Sequence, residues 1–211
     1  MSRNLLAFSF LIVSIFFTDS RIFAEVKELG FENRHSLRFC VRRDEDDIYL
    51  TRAQGFIDYN FPQLNRTLRF APFFEYQSNL DTNTWWRREL GAEIGTSFFN
   101  GFFYYGACFQ HVWQKEENYP VELLDETTEW ESRFVITPPL KWWRFKDKLK
   151  LSLFNEYTFD FTRGQPTVNQ VGVELNWQVL PGLKVPLGWR HIDRIHDFDN
   201  DMLEFSLVFS F

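Results

Sequence analysis

From residue 34 onward the chain alternates apolar and polar side chains in runs of roughly ten residues, each run ending in a cluster of Asp, Asn, Gly or Pro. Period-two alternation is the mark of a strand with one apolar and one polar face. The last run is the clearest. Leu203, Phe205, Leu207, Phe209 and Phe211 share one parity, while Glu204, Ser206 and Ser210 fall on the other. The same pattern predicts strands over 34–43, 48–61, 66–77, 85–99, 102–114, 129–137, 149–161, 169–179 and 183–192, with 201–211 the last of about ten.

The connections sharpen this pattern. Asn100-Gly101 is the strongest hairpin signal, since both residues tolerate the positive φ of a type I′ turn. Pro62 to Asn65 and Leu180 to Gly182 are also tight, whereas Ser78 to Thr84, Lys115 to Thr128, Thr162 to Val168 and Asp193 to Asp201 are longer. Short turns alternating with long loops, with Leu140 to Lys148 as the exception, over an even number of strands, predict a closed barrel spanning a membrane. In that register Tyr49, Tyr76, Trp86, Trp113, Trp130 and Trp189 form an outward aromatic belt near the loop ends. Tyr59, Phe61, Phe98, Phe103, Trp177, Phe209 and Phe211 form another near the turn ends. Pro72 and Pro186 each delete a ladder donor inside a strand, which predicts a bulge at each. Asn155 falls on the apolar parity and predicts a local slip.

Composition agrees with a membrane wall rather than a helix bundle. Aromatic residues make up 19% of the chain, with 26 Phe and 8 Trp, yet a quarter of the residues are charged and the mean hydropathy is -0.32. Strands that face lipid with one parity and polar surroundings with the other reconcile the two. A net charge of -6 leaves no surplus of Lys and Arg for phosphates, which argues against a nucleic-acid partner. Residues 1–24 read as a secretory signal, with Arg3 as the positive segment, Leu5 to Phe17 apolar and Ala24 before the cut; cleavage after Ser20 is the alternative. The barrel domain is then 25–211. Cys40 and Cys108 are the only cysteines, on inward parities of strands well apart in chain order, and are expected to be free and buried.

The terminal strand ending in Phe211 resembles the assembly signal of Gram-negative outer-membrane barrels, carried by Phe205, Phe209 and Phe211. Over nearly its whole mature length the chain is similar to the small monomeric outer-membrane β-barrel proteins, and especially to the uncharacterised families of such barrels known only as domains of unknown function. The resemblance implies an all-β fold, a closed antiparallel up-and-down transmembrane β-barrel of about ten strands, in the cell outer membrane. Its partners would be outer-membrane lipid, lipopolysaccharide and, during assembly, the barrel-insertion machinery. No catalytic or ligand motif of a named family matches, so no site residue is carried over.

The inward parity carries a lumen charge network: Arg38, Arg52, Arg69, Arg87, Arg133 and Arg190 against Glu75, Glu89, Glu93, Glu131, Glu156, Asp160, Glu174 and Glu204, with Asp58, Lys150 and Lys184 on the same side. The signs nearly balance, and in so narrow a barrel these ions are expected to interlock as a plug; a narrow, porin-like or ion-selective passage is the alternative. At one rim His191, Asp193, His196 and Asp197 cluster, and a His beside a carboxylate is the minimum for a rim-active hydrolase acting on peptide or lipid. One strand-loop unit supplies the whole cluster, so the barrel is read as non-enzymatic. Asp197, Asp199 and Asp201 have the alternate spacing of oxygen ligands for Ca²⁺ but lack the Gly and bidentate Glu of an EF-hand loop. No cofactor is expected. A soluble periplasmic sandwich or a calyx holding a hydrophobic ligand is the remaining rival.

Overall fold

A computed structural model describes residues 31–43, 48–61, 64, 66–79, 85–115, 124–140, 148–195 and 199–211. The segment 1–24 and the rim residues His196 and Asp197 lie outside them. Ten strands follow one another: β1 (Phe31–Arg43), β2 (Ile48–Phe61), β3 (Arg66–Asn79), β4 (Trp85–Phe98), β5 (Phe103–Lys115), β6 (Leu124–Ile136), β7 (Leu149–Asp160), β8 (Gln165–Leu180), β9 (Leu183–Arg194) and β10 (Asn200–Ser210). Each pairs antiparallel with its neighbours in sequence, and β10 pairs with β1 to close the ring. Closure leaves no row of unpaired strand donors, which a sheet in hydrocarbon cannot tolerate. The even strand count puts both ends of the ring's chain at one end of the barrel, where the Phe211 N–H donates to the His35 carbonyl at 2.9 Å.

The alternation becomes two faces. Every strand exposes large apolar side chains outward, among them Val41, Ile57, Phe70, Leu90, Phe109, Phe134, Leu153, Val173, Leu187 and Phe205. The residues between them are the buried ones, and they include Asp58, Glu75, Glu89, Glu129, Glu156, Arg190 and Glu204. Leaving one such apolar side chain in water forgoes about 1.5–3 kcal/mol, so this surface is stable only against hydrocarbon. The chain is a closed ten-stranded antiparallel β-barrel with the apolar exterior and charged interior of a membrane-spanning wall. An open sandwich is ruled out by the closed ring, and a soluble calyx by the inversion of its faces.

Several local expectations are corrected. β6 begins at Leu124, so Asp125 to Thr128 belong to the ladder opposite His111 to Gln114 rather than to a loop. Trp130 consequently sits at mid-strand, opposite Phe109 and Phe159, and does not join a rim belt. The expected loop over 162–168 is a short turn, because β8 starts at Gln165. Asp160 explains it: its Oδ1 accepts the backbone N–H groups of Thr162 (2.7 Å) and Arg163 (3.1 Å), folding the chain straight back.

Neither proline sits at a bulge. Pairing lapses between Gln54–Phe73 and Ile57–Phe70 around Pro72, and between Phe205–Leu187 and Val208–Lys184 around Pro186, but the register resumes unshifted on both sides. The neighbouring ladders hold each strand in line while one donor is missing. Register shifts occur instead at Gln77/Ser78, Thr158/Phe159 and Gln178/Leu180. Asn155 causes no slip either. It stays on the outer face between Phe134 and Val171, and its amide donates to Asn169 Oδ1 (2.8 Å) and the Gln170 carbonyl (3.1 Å). The β4–β5 turn carries Asn100-Gly101 at φ 58° and 80°, as its type requires, with Phe99 also left-handed at 52°.

Candidate functional site: the charged lumen

Alternation alone aims the ions inward; the register decides which of them meet. Arg38, Arg52, Glu75 and Glu89 are successive partners across β1 to β4, so two pairs of like charge stand directly opposite each other. Such pairs repel unless the other sign is interleaved. Arg52 does this for the carboxylates, its Nε donating to Glu75 at 2.5 Å with Nη2 3.7 Å from Glu89. Arg87 reaches the other side of Glu89 (2.5 Å) and extends to Glu129 (2.9 Å), while Gln77 and Gln110 donate to Glu75 and Glu129.

Arg38 turns away from Arg52. Its guanidinium bonds Glu204, Ser206 (3.0 Å) and, three strands away, Glu174 (3.3 Å). From Glu204 the network continues to Arg190 (2.9 Å), from Arg190 to Glu156 (3.2 Å), and from Glu156 to Arg133 (3.0 Å). Arg133 Nε is buried and near enough to Glu156 for ion pairing, yet it is not aligned for a hydrogen bond. A third group sits toward the turn end, where Arg69 grips both oxygens of Asp58 (2.8 and 3.0 Å) and Tyr104 Oη donates to Glu93.

Two of the sequence-derived residues stand apart from these chains. Asp160 serves the β7–β8 turn, with Arg163 Nε 3.7 Å away. Glu131 lies opposite Cys108 and Thr158 and enters none of the ion pairs described above. Cys40 and Cys108 are both buried and neither is in a disulfide. Glu129 was overlooked because it stood at a predicted strand start, although its parity matches Glu131.

The rings inside the lumen were also overlooked. Phe73, Tyr104 and Phe154 lie on the inward parity, and guanidiniums stack on them: Arg52 on Phe73 (4.4 Å), Arg69 on Tyr104 (5.6 Å) and on Phe56 (5.0 Å), Arg190 and Arg133 on Phe154 (4.9 and 5.3 Å). Stacking on a ring orients a guanidinium and is worth about 0.5–2 kcal/mol. A cavity of about 330 Å³ opens at the turn end, lined by Asn60, Phe61, Arg66, Thr67, Ser97, Asn100 and Gly101.

Of the rim candidates, the described residues are His191 and Asp193, which both lie on β9. His191 lies on the outer face of β9, stacked beside Trp189, with Nδ1 3.1 Å from Asp201 Oδ1. Asp193 is exposed on the same strand, opposite Asn169. The described residues contain no group of three or more His, Cys, Asp or Glu that could hold a metal, and Asp199 and Asp201 are exposed.

No family model matches the chain, and no curated protein matches its sequence. Solved structures do. The KdgM porin in complex with disordered oligogalacturonate aligns over 83% of this chain and 99% of its own, at 9% identity and a TM-score of 0.47. The NanC porin aligns over 83% and 98%, at 9% identity and 0.48. The outer membrane protein OpdK from Pseudomonas aeruginosa aligns over 79% and 50%, at 12% identity and 0.38.

Proposed function

We propose that the barrel is a narrow, water-entered passage across the outer membrane, whose ion-pair network lines the lumen instead of plugging it. One observation carries this. The side chains of Arg38, Arg52, Arg69, Arg87 and Arg133 keep 20–28% of their surface accessible, while the carboxylates they pair with keep only 2–13%. A packed plug buries both partners of a pair alike, as Arg190 is buried with Glu156 and Glu204. Carboxylates against the wall with guanidiniums toward the axis describe a lining with room for water.

Conductance tests the proposal. Purified protein, its folded state verified by a migration shift on boiling, is expected to carry steady current across a planar bilayer. A folded barrel that passes no current at any applied voltage is the outcome that removes the passage and restores the plug. Assembly is a separate assignment: we propose that the insertion machinery reads the outer face of β10, where Phe205 and Phe211 are exposed beside the β1–β10 closure. Deleting Phe211 should lower the amount in the outer membrane several-fold while refolding in detergent is unaffected.

A further inference from the structure

Three of the inward rings, Phe73, Tyr104 and Phe154, share a feature that the ion pairs do not explain. Each lies close against glycines of the wall, where a Cβ would crowd or overlap it. A Cβ added at Gly91 would stand 2.9 Å from Phe73 Cε1, and one at Gly106 would stand 3.1 Å from Tyr104 Cε1. At Gly95 it would overlap the Tyr104 phenol, and at Gly172 the Phe154 ring. Gly91 is the ladder partner of Phe73 and Gly172 that of Phe154, so these two rings lie over a direct neighbour's backbone, while Tyr104, paired with Ser97, lies over the diagonal Gly95 and over Gly106 of its own strand. The order from wall to axis is therefore glycine, ring, guanidinium.

We propose that Arg52, Arg69 and Arg133 are stations for small oxyanions, such as carboxylates and inorganic phosphate, crossing the lumen, and that Phe73, Tyr104 and Phe154 are the positioning residues that hold them there. This rests on the passage proposed above and assigns its substrate class. A guanidinium offers five N–H donors in a plane, a geometry matched to oxyanions. Arg69 commits Nε and Nη2 to Asp58, and Arg52 commits Nε to Glu75. Among the described residues the Nη1 groups of Arg52 and Arg69 make no hydrogen bond, and Arg52 Nη2 is 3.7 Å from Glu89. Arg52 and Arg133 each have one ring against them, which leaves a solute the other face or the free edge, whereas Arg69, with both Phe56 and Tyr104 against it, offers its edge.

The sign of the lumen does not decide against this. Positive and negative side chains on the inward parity nearly cancel in number, so the field on the axis follows whichever sign stands closer to it. By exposure that sign is positive. Glu93 and Glu131, both half-buried in the same lumen, are the carboxylates that oppose it, and Glu93 is held to the wall by Tyr104. A preference for cations is therefore the direct contrary result.

The test uses the full barrel in planar bilayers under a KCl gradient, with sodium phosphate as the probe. The reversal potential is expected on the anion side, and millimolar phosphate should reduce the chloride current. Phe73→Leu and Phe154→Leu keep every ion pair and remove only the ring, and each should weaken the phosphate block several-fold and move the reversal potential toward zero. Phenylglyoxal labelling of the folded barrel, mapped by peptide mass, gives an independent readout: Arg52, Arg69 and Arg133 should react faster than Arg190 and be protected by phosphate. Cation preference, or unchanged block in both ring variants, or labelling that phosphate does not slow, overturns the stations. A barrel without current whose Arg52, Arg69 and Arg133 are still protected by phosphate overturns the passage and leaves the stations standing. A cation-selective current without protection does the reverse.

Discussion

On the outer face of β10, Leu203 and Phe205 are exposed to lipid; one residue away on the inner face, Glu204 joins Arg38 and Arg190. Along the whole wall the two faces differ in the same way. Outside, neighbours are apolar and loosely specified, so Leu, Phe, Val and Trp exchange roles with little consequence. Inside, most of the ions have named partners on particular strands, and a change at one is felt at several. The outer face suits the wall to hydrocarbon; the inner face holds the ion network.

The largest expected effect lies inside. Glu156→Ala leaves Arg133 and Arg190 without their shared carboxylate. Removing one member of a buried pair costs about 3–5 kcal/mol, and the partial exposure of Arg133 places this case at about 3 kcal/mol. The urea midpoint of the barrel refolded into lipid vesicles measures it, and an unchanged midpoint would show that the inner face is as permissive as the outer. The sharpest outer-face contrast is Phe109→Arg, at the centre of β5 opposite Ala92 and Trp130. A cation facing lipid there should cost about 2–4 kcal/mol, falling off toward the interfaces, while Phe109→Leu stays within about 1 kcal/mol. If arginine is as harmless as leucine, β5 does not face hydrocarbon.

Gly172→Ala probes the ring seats. The added methyl displaces Phe154 and, with it, the stack beneath Arg133 and Arg190, for an overpacking cost of about 1–3 kcal/mol in the same vesicle assay. The smallest effect is expected for the outward polar pair. Asn155→Leu combined with Asn169→Leu replaces both partners of one hydrogen bond by apolar groups and should leave stability within about 1 kcal/mol of the parent. A large loss would mean that the lipid face, too, contains specified polar contacts.

Much of the wall was legible because it depends on nearest neighbours in the chain. Parity assigned Arg52, Glu75 and Glu156 inward and Ile57, Leu90 and Phe205 outward without reference to any partner. Strand ends were harder where tertiary contacts override local polarity. Asp125 and Glu126 look like loop residues, but pairing with Gln114 and Trp113 draws them into β6. Pro72 and Pro186 suggested bulges, yet flanking ladders absorb a missing donor without a shift. The candidate site was legible as a set of charges and illegible as a structure. Nothing in the spacing of Arg38 and Glu174 brings them together, and nothing about Gly91 or Gly172 taken alone marks a seat for a ring.

The sequence by itself determined the two faces, their apolar and ionic character and the number of strands, since a backbone repeat of two residues fixes each side chain's direction locally. Tertiary structure decided which ions pair, where the rings lie and how deeply each ion is buried. Those relations depend on stagger between strands, which accumulates over ten ladders before the ring closes, so no single segment contains it.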